Sequence, residues 1–302
     1  MYAFVFPGQG SQRPGMAKDF YDEYATVRAL FEDASAAIDV DLAALIFAED
    51  DPKLNLTEFT QPAILTVEMA MVKVIEQEYS KTADYFAGHS LGEYTALAAA
   101  GVVDFVDAVK IVRKRGNLMQ VAVPEGTGAM AALILEKIES TPYREIVAKH
   151  DADVANINSA DQVVISGAKA AVEGAVAEIR EKIEGINAVF LNVSAPFHSR
   201  MMAPIEDEFR SYLPSFTIRP EHSAKVLSNF SGTFHRPDTL IDHLVRQISG
   251  SVRWIENMQA LIDTKASILE VGPNRPLGKF FSTLGAEVPS ILNVKGLKKA
   301  FG

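Results

Sequence analysis

The stretch FAGHSLGEYTALAAAG, residues 86–101, decides the fold class of this chain. A short apolar run leads into GHSLG (88–92), and an alanine-rich helical pattern follows as far as Gly101. Glycines on both sides of a serine permit a sharp strand-to-helix turn, in which backbone segments pass too close together to leave room for a Cβ. The pattern predicts a buried strand, a tight elbow and a helix, with the Ser90 hydroxyl at the edge of an α/β sheet.

The segments on either side repeat the alternation of strand and helix. Apolar runs typical of buried strands occur at 2–6, 84–87 and 267–273. Helical periodicity occurs at 16–38, 62–80 and 105–120. We expect Pro62 in the first turn of its helix and Asp104 as the cap of the next one. Such alternation indicates a largely parallel sheet that is covered on both faces.

The pattern changes after about Gly126. Strand-like runs at 128–135, 153–167 and 188–194 are separated by helical segments at 141–150 and 170–185. This β-α-β-β-α-β order matches a split-βαβ unit, and the α/β pattern resumes after it. The sequence therefore predicts a small subdomain at 127–195, inserted into a larger one formed by 1–126 and 196–302.

Composition excludes several classes of function. The chain has 302 residues, of which 48% are hydrophobic and 23% charged, as in soluble globular proteins. A net charge of -10 argues against a nucleic-acid binder, which would carry a basic face. The absence of cysteine excludes disulfides, thiolate metal sites and a cysteine nucleophile, and we expect no metal site.

The apolar segments are too short for membrane insertion. The N-terminal run MYAFVFPGQG has neither a basic region nor the long apolar core of a signal peptide. No stretch reaches the roughly 18 apolar residues of a membrane span. We expect a cytoplasmic protein without a membrane partner.

Ser90 has the features of a nucleophile, because the elbow places its hydroxyl at the start of a helix, where the helix dipole favours negative charge. A serine nucleophile needs a base. His89 is adjacent but is expected to point away across the turn. His198 follows the strand that returns the chain to the large subdomain and is therefore best placed, with His235 and His243 as alternatives.

Arg115 interrupts an apolar helix face. The apolar positions of this helix that form one stripe are Ala108, Ile111, Val112, Leu118 and Met119. Arg115 falls within that stripe, and a cation on an inward face must find an anion. The pattern leaves two readings open, an internal salt bridge or a binding site for an anionic group.

Six motifs together resemble one enzyme family. They are FPGQGSQ (6–12), GHSLGEY (88–94), RGNLMQ (115–120), NINSADQVVISG (156–167), SAPFHS (194–199) and EVGPN (270–274). They follow the order seen in malonyl-CoA:acyl carrier protein transacylases and in the acyltransferase domains of polyketide synthases. The resemblance runs from Pro7 to about Pro276. It implies an α/β-hydrolase-like large subdomain with an inserted ferredoxin-like small subdomain.

The resemblance also implies roles for individual residues. Ser90 would be the acylated nucleophile, and His198 would be its general base and later the acid toward the leaving thiol. The backbone N–H groups of Gln9 and Leu91 would form the oxyanion hole. A backbone carbonyl, which we place near Arg253, would orient the imidazole in place of a third carboxylate.

The remaining site residues implied by the resemblance concern the acyl group. Arg115 would bind the free carboxylate of a malonyl group in a bidentate manner, for which its planar fork is suited. Phe197 would crowd the branching methyl of a methylmalonyl group, although core packing alone also explains it. Asn158 and Gln162 would line the channel or hold the loop of His198.

The function implied is a ping-pong transfer of malonyl from coenzyme A to the phosphopantetheine thiol of an acyl carrier protein. Coenzyme A is then a substrate, and no tightly bound cofactor is expected. We expect a monomer whose carrier arrives in trans and docks near basic runs such as VRKRG (112–116) or VKGLKK (294–299). Fatty-acid synthesis and a trans-acting role in polyketide synthesis both remain open.

Two other functions compete with this transfer. An acyl hydrolase that clears acyl groups from carriers could use the same fold, but Arg115 would then have no purpose for monocarboxylic acyl groups. A non-catalytic docking protein would not need Ser90 and His198.

Overall fold

Two four-stranded sheets organise the chain in the computed structural model, which describes residues 1–193 and 195–302. The strands are β1 Tyr2–Phe6, β2 Tyr85–Gly88, β3 Gly128–Ile134, β4 Asp153–Ser159, β5 Gln162–Ala168, β6 Asn187–Phe190, β7 Ser267–Val271 and β8 Ser290–Ile291. Helices before the second sheet are α1 Lys18–Glu23, α2 Ala25–Ile38, α3 Leu42–Phe47, α4 Thr57–Tyr79, α5 Gly92–Ala99 and α6 Phe105–Val121. The later helices are α7 Tyr143–Lys149, α8 Lys169–Lys182, α9 Glu206–Tyr212, α10 Leu240–Arg246, α11 Trp254–Asp263, α12 Pro276–Ser282 and α13 Val294–Phe301.

The first sheet is parallel and buried on both faces. Its strand order is β2-β1-β7-β8, and each neighbouring pair is parallel. Side chains of β1 alternate between two apolar clusters, with Phe4 and Phe6 in one and Ala3 and Val5 in the other. This alternation follows from the two-residue period of a strand and confirms the predicted fold class.

The second sheet is antiparallel and has the order β4-β5-β3-β6. Its elements follow one another as β3-α7-β4-β5-α8-β6, which is the split-βαβ order expected from the sequence. All of its strands lie between residues 128 and 190. We therefore retain 127–195 as the proposed extent of the small subdomain, within which Ser194 lies outside the described residues.

The elbow between β2 and α5 depends on close backbone approach. A Cβ on Gly88 would lie 1.8 Å from the carbonyl carbon of Gly92, and one on Gly92 would lie 2.2 Å from the carbonyl oxygen of Phe6. Ser90 between them has a φ of 53°, in the left-handed region that non-glycine residues rarely occupy. Positions 88 and 92 therefore have no room for a Cβ, as the sequence pattern predicted.

Backbone hydrogen bonds tie β4 to the segment before α11. The amide of Val252 donates to the carbonyl of Ala155 at 2.8 Å, and the amide of Ile157 donates to the carbonyl of Val252 at 2.9 Å. The hydroxyl of Ser251 also donates to the carbonyl of Val154. These contacts hold β4 of the second sheet against the segment that precedes α11.

Two local expectations were wrong. Helix α4 begins at Thr57, so Pro62 lies inside it, and the carbonyl of Glu58 accepts a hydrogen bond from Arg113 Nη1 at 3.1 Å. Pro62 has no N–H group, so it cannot donate the usual helical hydrogen bond to that carbonyl. Asp104 precedes α6 as expected, but its carboxylate pairs with Arg219 and does not cap the helix.

Among the described residues, no helix has both the length and the apolar character that crossing a membrane requires.

Candidate active site

Ser90 and His198 form a hydrogen-bonded pair. Ser90 Oγ lies 2.8 Å from His198 Nε2, and His198 Nδ1 lies 2.8 Å from the backbone carbonyl oxygen of Gln247. A carbonyl can only accept, so Nδ1 carries the proton and Nε2 is left as an acceptor for the serine hydroxyl. This arrangement can deprotonate Ser90.

The expectation that Arg253 supplies the orienting carbonyl was wrong. Gln247 supplies it, immediately after the end of α10. The carbonyl of Arg253 instead accepts the amide of Asn257 at 3.2 Å in the first turn of α11. A carbonyl committed to a helix turn points along the helix axis and is not directed at the imidazole.

The surroundings of His198 keep its imidazole neutral at pH 7. Burial and the nearby charge of Arg115 lower the pKa of His198 to about 3. A neutral imidazole is the form that a general base requires. The alternatives lie elsewhere, because His235 contacts Glu93 at 2.7 Å and His243 contacts Ser228 at 3.4 Å.

Gln9 and Leu91 line the same cavity as Ser90. Neither of their backbone amides donates to a protein acceptor in residues 1–193 and 195–302. The loop of Gln9 runs close to the elbow, since a Cβ on Gly8 would lie 2.4 Å from the carbonyl oxygen of His89. Two free amides beside a nucleophile can stabilise the oxyanion of an acyl-transfer intermediate.

Arg115 is a fully buried cation at the nucleophile. It is 0% exposed, and its Nη2 donates to Ser90 Oγ at 3.1 Å and to Gln247 Oε1 at 2.8 Å. Its Nη1 donates to Gln61 Oε1 at 2.9 Å, and its Nε has no partner in the described part of the chain. Burial lowers the pKa of Arg115.

No carboxylate forms a salt bridge with Arg115 among the described residues, so the structure does not support the internal salt bridge. A buried guanidinium with neutral acceptors retains the capacity to bind an anion.

The cavity has a volume of about 270 Å³ and lies between the two sheets. Its apolar lining includes Met119, Met130, Val164, Leu191, Val193, Phe197, Leu277 and Phe280. Phe197 and Asn158 both line this cavity. Gln162 does not line it, because it lies at the start of β5 and pairs with Ser159 and Ile134.

His89 follows the elbow glycine, and its ring contacts the second sheet. It lines the cavity, and its Nε2 lies 2.8 Å from Oδ1 of Asn158 in β4. Burial lowers the pKa of His89. The ring thus links the elbow to the second sheet.

Three polar residues of the site were missed by sequence reasoning. Gln61 and Gln247 accept from Arg115, and Asn229 holds the elbow by accepting the Ser90 amide at 2.6 Å and donating to the Gly88 carbonyl at 2.8 Å. Each is a polar residue beside apolar ones, a pattern too common in sequences to single them out.

For residues 1–193 and 195–302, no group of three or more histidine, aspartate and glutamate side chains is arranged to hold a metal ion.

Comparison with known proteins places this site in context. Residues 3–274 match the family described as an acyl transferase domain. A malonyl CoA-acyl carrier protein transacylase of Escherichia coli (strain K12) is 42% identical over 281 residues, covering 91% of this chain and 90% of that protein.

Solved structures are similar along the whole chain. An acyl carrier protein S-malonyltransferase from Vibrio cholerae has a TM-score of 0.92 at 36% identity, covering 99% of both chains. A malonyl-transacylase in complex with a type II polyketide synthase acyl-carrier protein has a TM-score of 0.91 at 35% identity, covering 99% of this chain and 98% of that chain.

Proposed function

This chain belongs to the acyl transferase domain family, and we propose that it moves a malonyl group from coenzyme A to the phosphopantetheine thiol of an acyl carrier protein. The observation that carries the proposal is Arg115, a buried cation without a carboxylate partner in the described chain, 3.1 Å from Ser90 Oγ. Ser90 is the nucleophile in this proposal, and His198 is the base.

Acylation begins when Ser90 Oγ attacks the thioester carbonyl of malonyl-CoA. His198 Nε2 takes the hydroxyl proton, and the amides of Gln9 and Leu91 receive the oxyanion of the tetrahedral intermediate. The carbonyl of Gln247 stabilises the imidazolium through Nδ1–H. The C–S bond then breaks, and His198 returns the proton to the leaving thiolate of coenzyme A.

Deacylation repeats these steps with the carrier's thiol as the nucleophile. His198 takes the thiol proton, the thiolate attacks the ester carbonyl, and the C–O bond to Ser90 breaks as Ser90 Oγ recovers a proton. The apolar walls of the cavity favour the thiol over water during the lifetime of the ester.

Arg115 binds the malonyl carboxylate and also affects the base. The carboxylate offsets the charge of Arg115, which is one of the causes that lower the pKa of His198. The pKa therefore rises once substrate is bound, which favours the imidazolium needed to protonate the leaving group. Phe197 disfavours a branched acyl group, and Asn158 holds His89 at the cavity wall.

The carrier determines the pathway, and we propose fatty-acid or polyketide synthesis in the cytoplasm as the setting. A relative was solved with a polyketide carrier, and the curated relatives are named as transacylases of acyl carrier protein. The hydrolase alternative is not favoured, because Arg115 matches a dicarboxylate-derived acyl group.

Transfer of malonyl to a holo-carrier protein tests this function. Purified enzyme, malonyl-CoA and holo-carrier should give malonyl-carrier by mass spectrometry, and Ser90→Ala should give none. Lys73→Ala is a suitable control, because Lys73 pairs with Glu76 at the surface of α4 and lies outside both basic runs. Release of free malonate faster than malonyl-carrier forms would instead support the hydrolase.

A further inference from the structure

Glu93 is a buried carboxylate that the transfer mechanism does not use. It lies in the first turn of α5 and is 0% exposed. Oε1 accepts from His235 Nε2 at 2.7 Å, and Oε2 accepts from Gln247 Nε2 at 2.6 Å and from the Asn229 amide at 3.0 Å. Three N–H donors around one carboxyl group match its ionised form, which only accepts hydrogen bonds.

Glu93 determines how the amide of Gln247 is oriented. With Nε2 donating to Glu93 and to the Ser90 carbonyl at 3.0 Å, Oε1 of Gln247 must face Arg115, which donates to it at 2.8 Å. A reversed amide would place its NH2 group against the guanidinium and its oxygen against the carboxylate. Both contacts would be unfavourable, so only one orientation is stable.

The charges of Arg115 and Glu93 are therefore separated by one neutral amide. The carboxylate offsets the buried positive charge through Gln247 without occupying the guanidinium itself. A direct ion pair would neutralise the positive charge with which an incoming carboxylate pairs.

His235 holds the other oxygen of the Glu93 carboxylate. Its Nε2 faces Glu93, while its buried Nδ1 has no partner in the part of the chain that the structure describes.

We propose that Glu93, oriented by His235, is a positioning residue that sets the preference for acyl groups carrying a carboxylate. It acts through Gln247, whose neutral amide oxygen holds Arg115 without a direct carboxylate partner, so that the charge of the guanidinium can pair with the substrate carboxylate. This proposal rests on the proposed function, since it assigns the acyl specificity of the same site.

The test compares loading of Ser90 from malonyl-CoA and from acetyl-CoA. Glu93→Gln keeps the side chain's size but places an NH2 group among three N–H donors. We expect kcat/KM for malonyl-CoA to fall about 100-fold, mainly through KM, and that for acetyl-CoA to fall less than about tenfold. His235→Gln, which retains an N–H donor, should keep the malonyl preference, whereas His235→Leu should lower it.

Glu68→Gln is the matched control, because Glu68 is an equally buried carboxyl that bonds Thr95 outside this network. It should leave the malonyl preference unchanged. Equal losses for both substrates in Glu93→Gln, or an unchanged preference in both Glu93→Gln and His235→Leu, would overturn the proposal. Wild type that loads no malonyl group would instead refute the proposed function, and this proposal with it.

Discussion

His198 works in an environment that opposes its protonation, and this has a measurable consequence. Burial and Arg115 lower the pKa of His198 to about 3, so the imidazole stays neutral as the pH falls from 7 to 5. We expect the rate of loading from acetyl-CoA to remain nearly level over that range. Stopped-flow or quenched-flow loading at each pH measures this directly, and an acid limb centred near pH 6.5 in wild type would contradict it.

Removing the charge of Arg115 should raise the pH below which protonation of His198 slows the loading of Ser90. Arg115→Ala removes a positive charge that disfavours the imidazolium, so the pKa of His198 should rise and the acid limb should move to higher pH. Acetyl-CoA is the suitable substrate because it does not need the guanidinium. Lys114→Ala should show the wild-type profile, and an unshifted limb in Arg115→Ala would show that the charge does not act on His198.

Phe197 provides a second test at a single side chain. It is 8% exposed and lines the cavity, so a smaller residue should create room for a branching methyl. Phe197→Ser should raise the ratio of methylmalonyl to malonyl loading by about tenfold or more. Competition between the two thioesters, read by intact mass, gives the ratio independently of protein yield. An unchanged ratio would leave Phe197 as core packing only.

Among the helices and strands, the elbow is the junction least tolerant of added atoms. A Cβ on Gly88 would overlap the backbone of Gly92, whereas Gly126 has a φ of 78° and nothing within 4 Å. We expect Gly126→Ala to cost about 1 kcal/mol from backbone strain alone. Gly88→Ala should cost well above that or prevent folding. Urea denaturation of the two variants measures the difference, and similar losses would contradict the close approach.

The packing of α4 against the parallel sheet contains a second buried carboxyl, Glu68. Burial raises its pKa well above the usual range, and the charge of Glu270 adds to this effect. The folded state therefore holds a proton that the unfolded chain releases above about pH 4.5. The contribution of Glu68 to the free energy of unfolding is fully present below that pH and is lost as the pH rises toward the pKa of the folded state.

Glu68→Gln should remove the loss of stability that protonated Glu68 causes as the pH rises. We expect its stability advantage over wild type to grow above pH 4.5 by up to about 1.4 kcal/mol per pH unit. Thermal or urea unfolding at pH 5 and pH 8 would measure it, with the exposed Glu173→Gln as control. An advantage that does not change with pH would show that Glu68 is ionised in the folded protein.

Sequence periodicity predicted most of the elements before residue 195, because the long strands and helices there carry their own repeat of apolar residues, but it did not predict helices α10 to α13. It could not predict β8, which has only two residues, and it misplaced the start of α4. Pro62 is tolerated inside that helix because Arg113, on another helix, takes over the orphaned Glu58 carbonyl. Such compensation between elements leaves no local pattern.

For the chain as a whole, the site was only partly visible in the sequence. Ser90 stands out through its glycines and Arg115 through its position in an apolar stripe. Gln247 and Asn229 lie far from Ser90 in sequence and belong to no motif, so only the folded chain shows that they contact it. Resemblance placed the orienting carbonyl near Arg253, because it located a segment and not the residue whose carbonyl points inward.

The most direct test of this account is the intact mass of the enzyme after brief exposure to equal amounts of malonyl-CoA and acetyl-CoA. Wild type should gain one malonyl group, Ser90→Ala should gain nothing, and Arg115→Ala should lose the preference for malonyl. An adduct that persists in Ser90→Ala, or an Arg115→Ala variant that still prefers malonyl, would contradict the claim that a serine nucleophile and a buried arginine together select this acyl group.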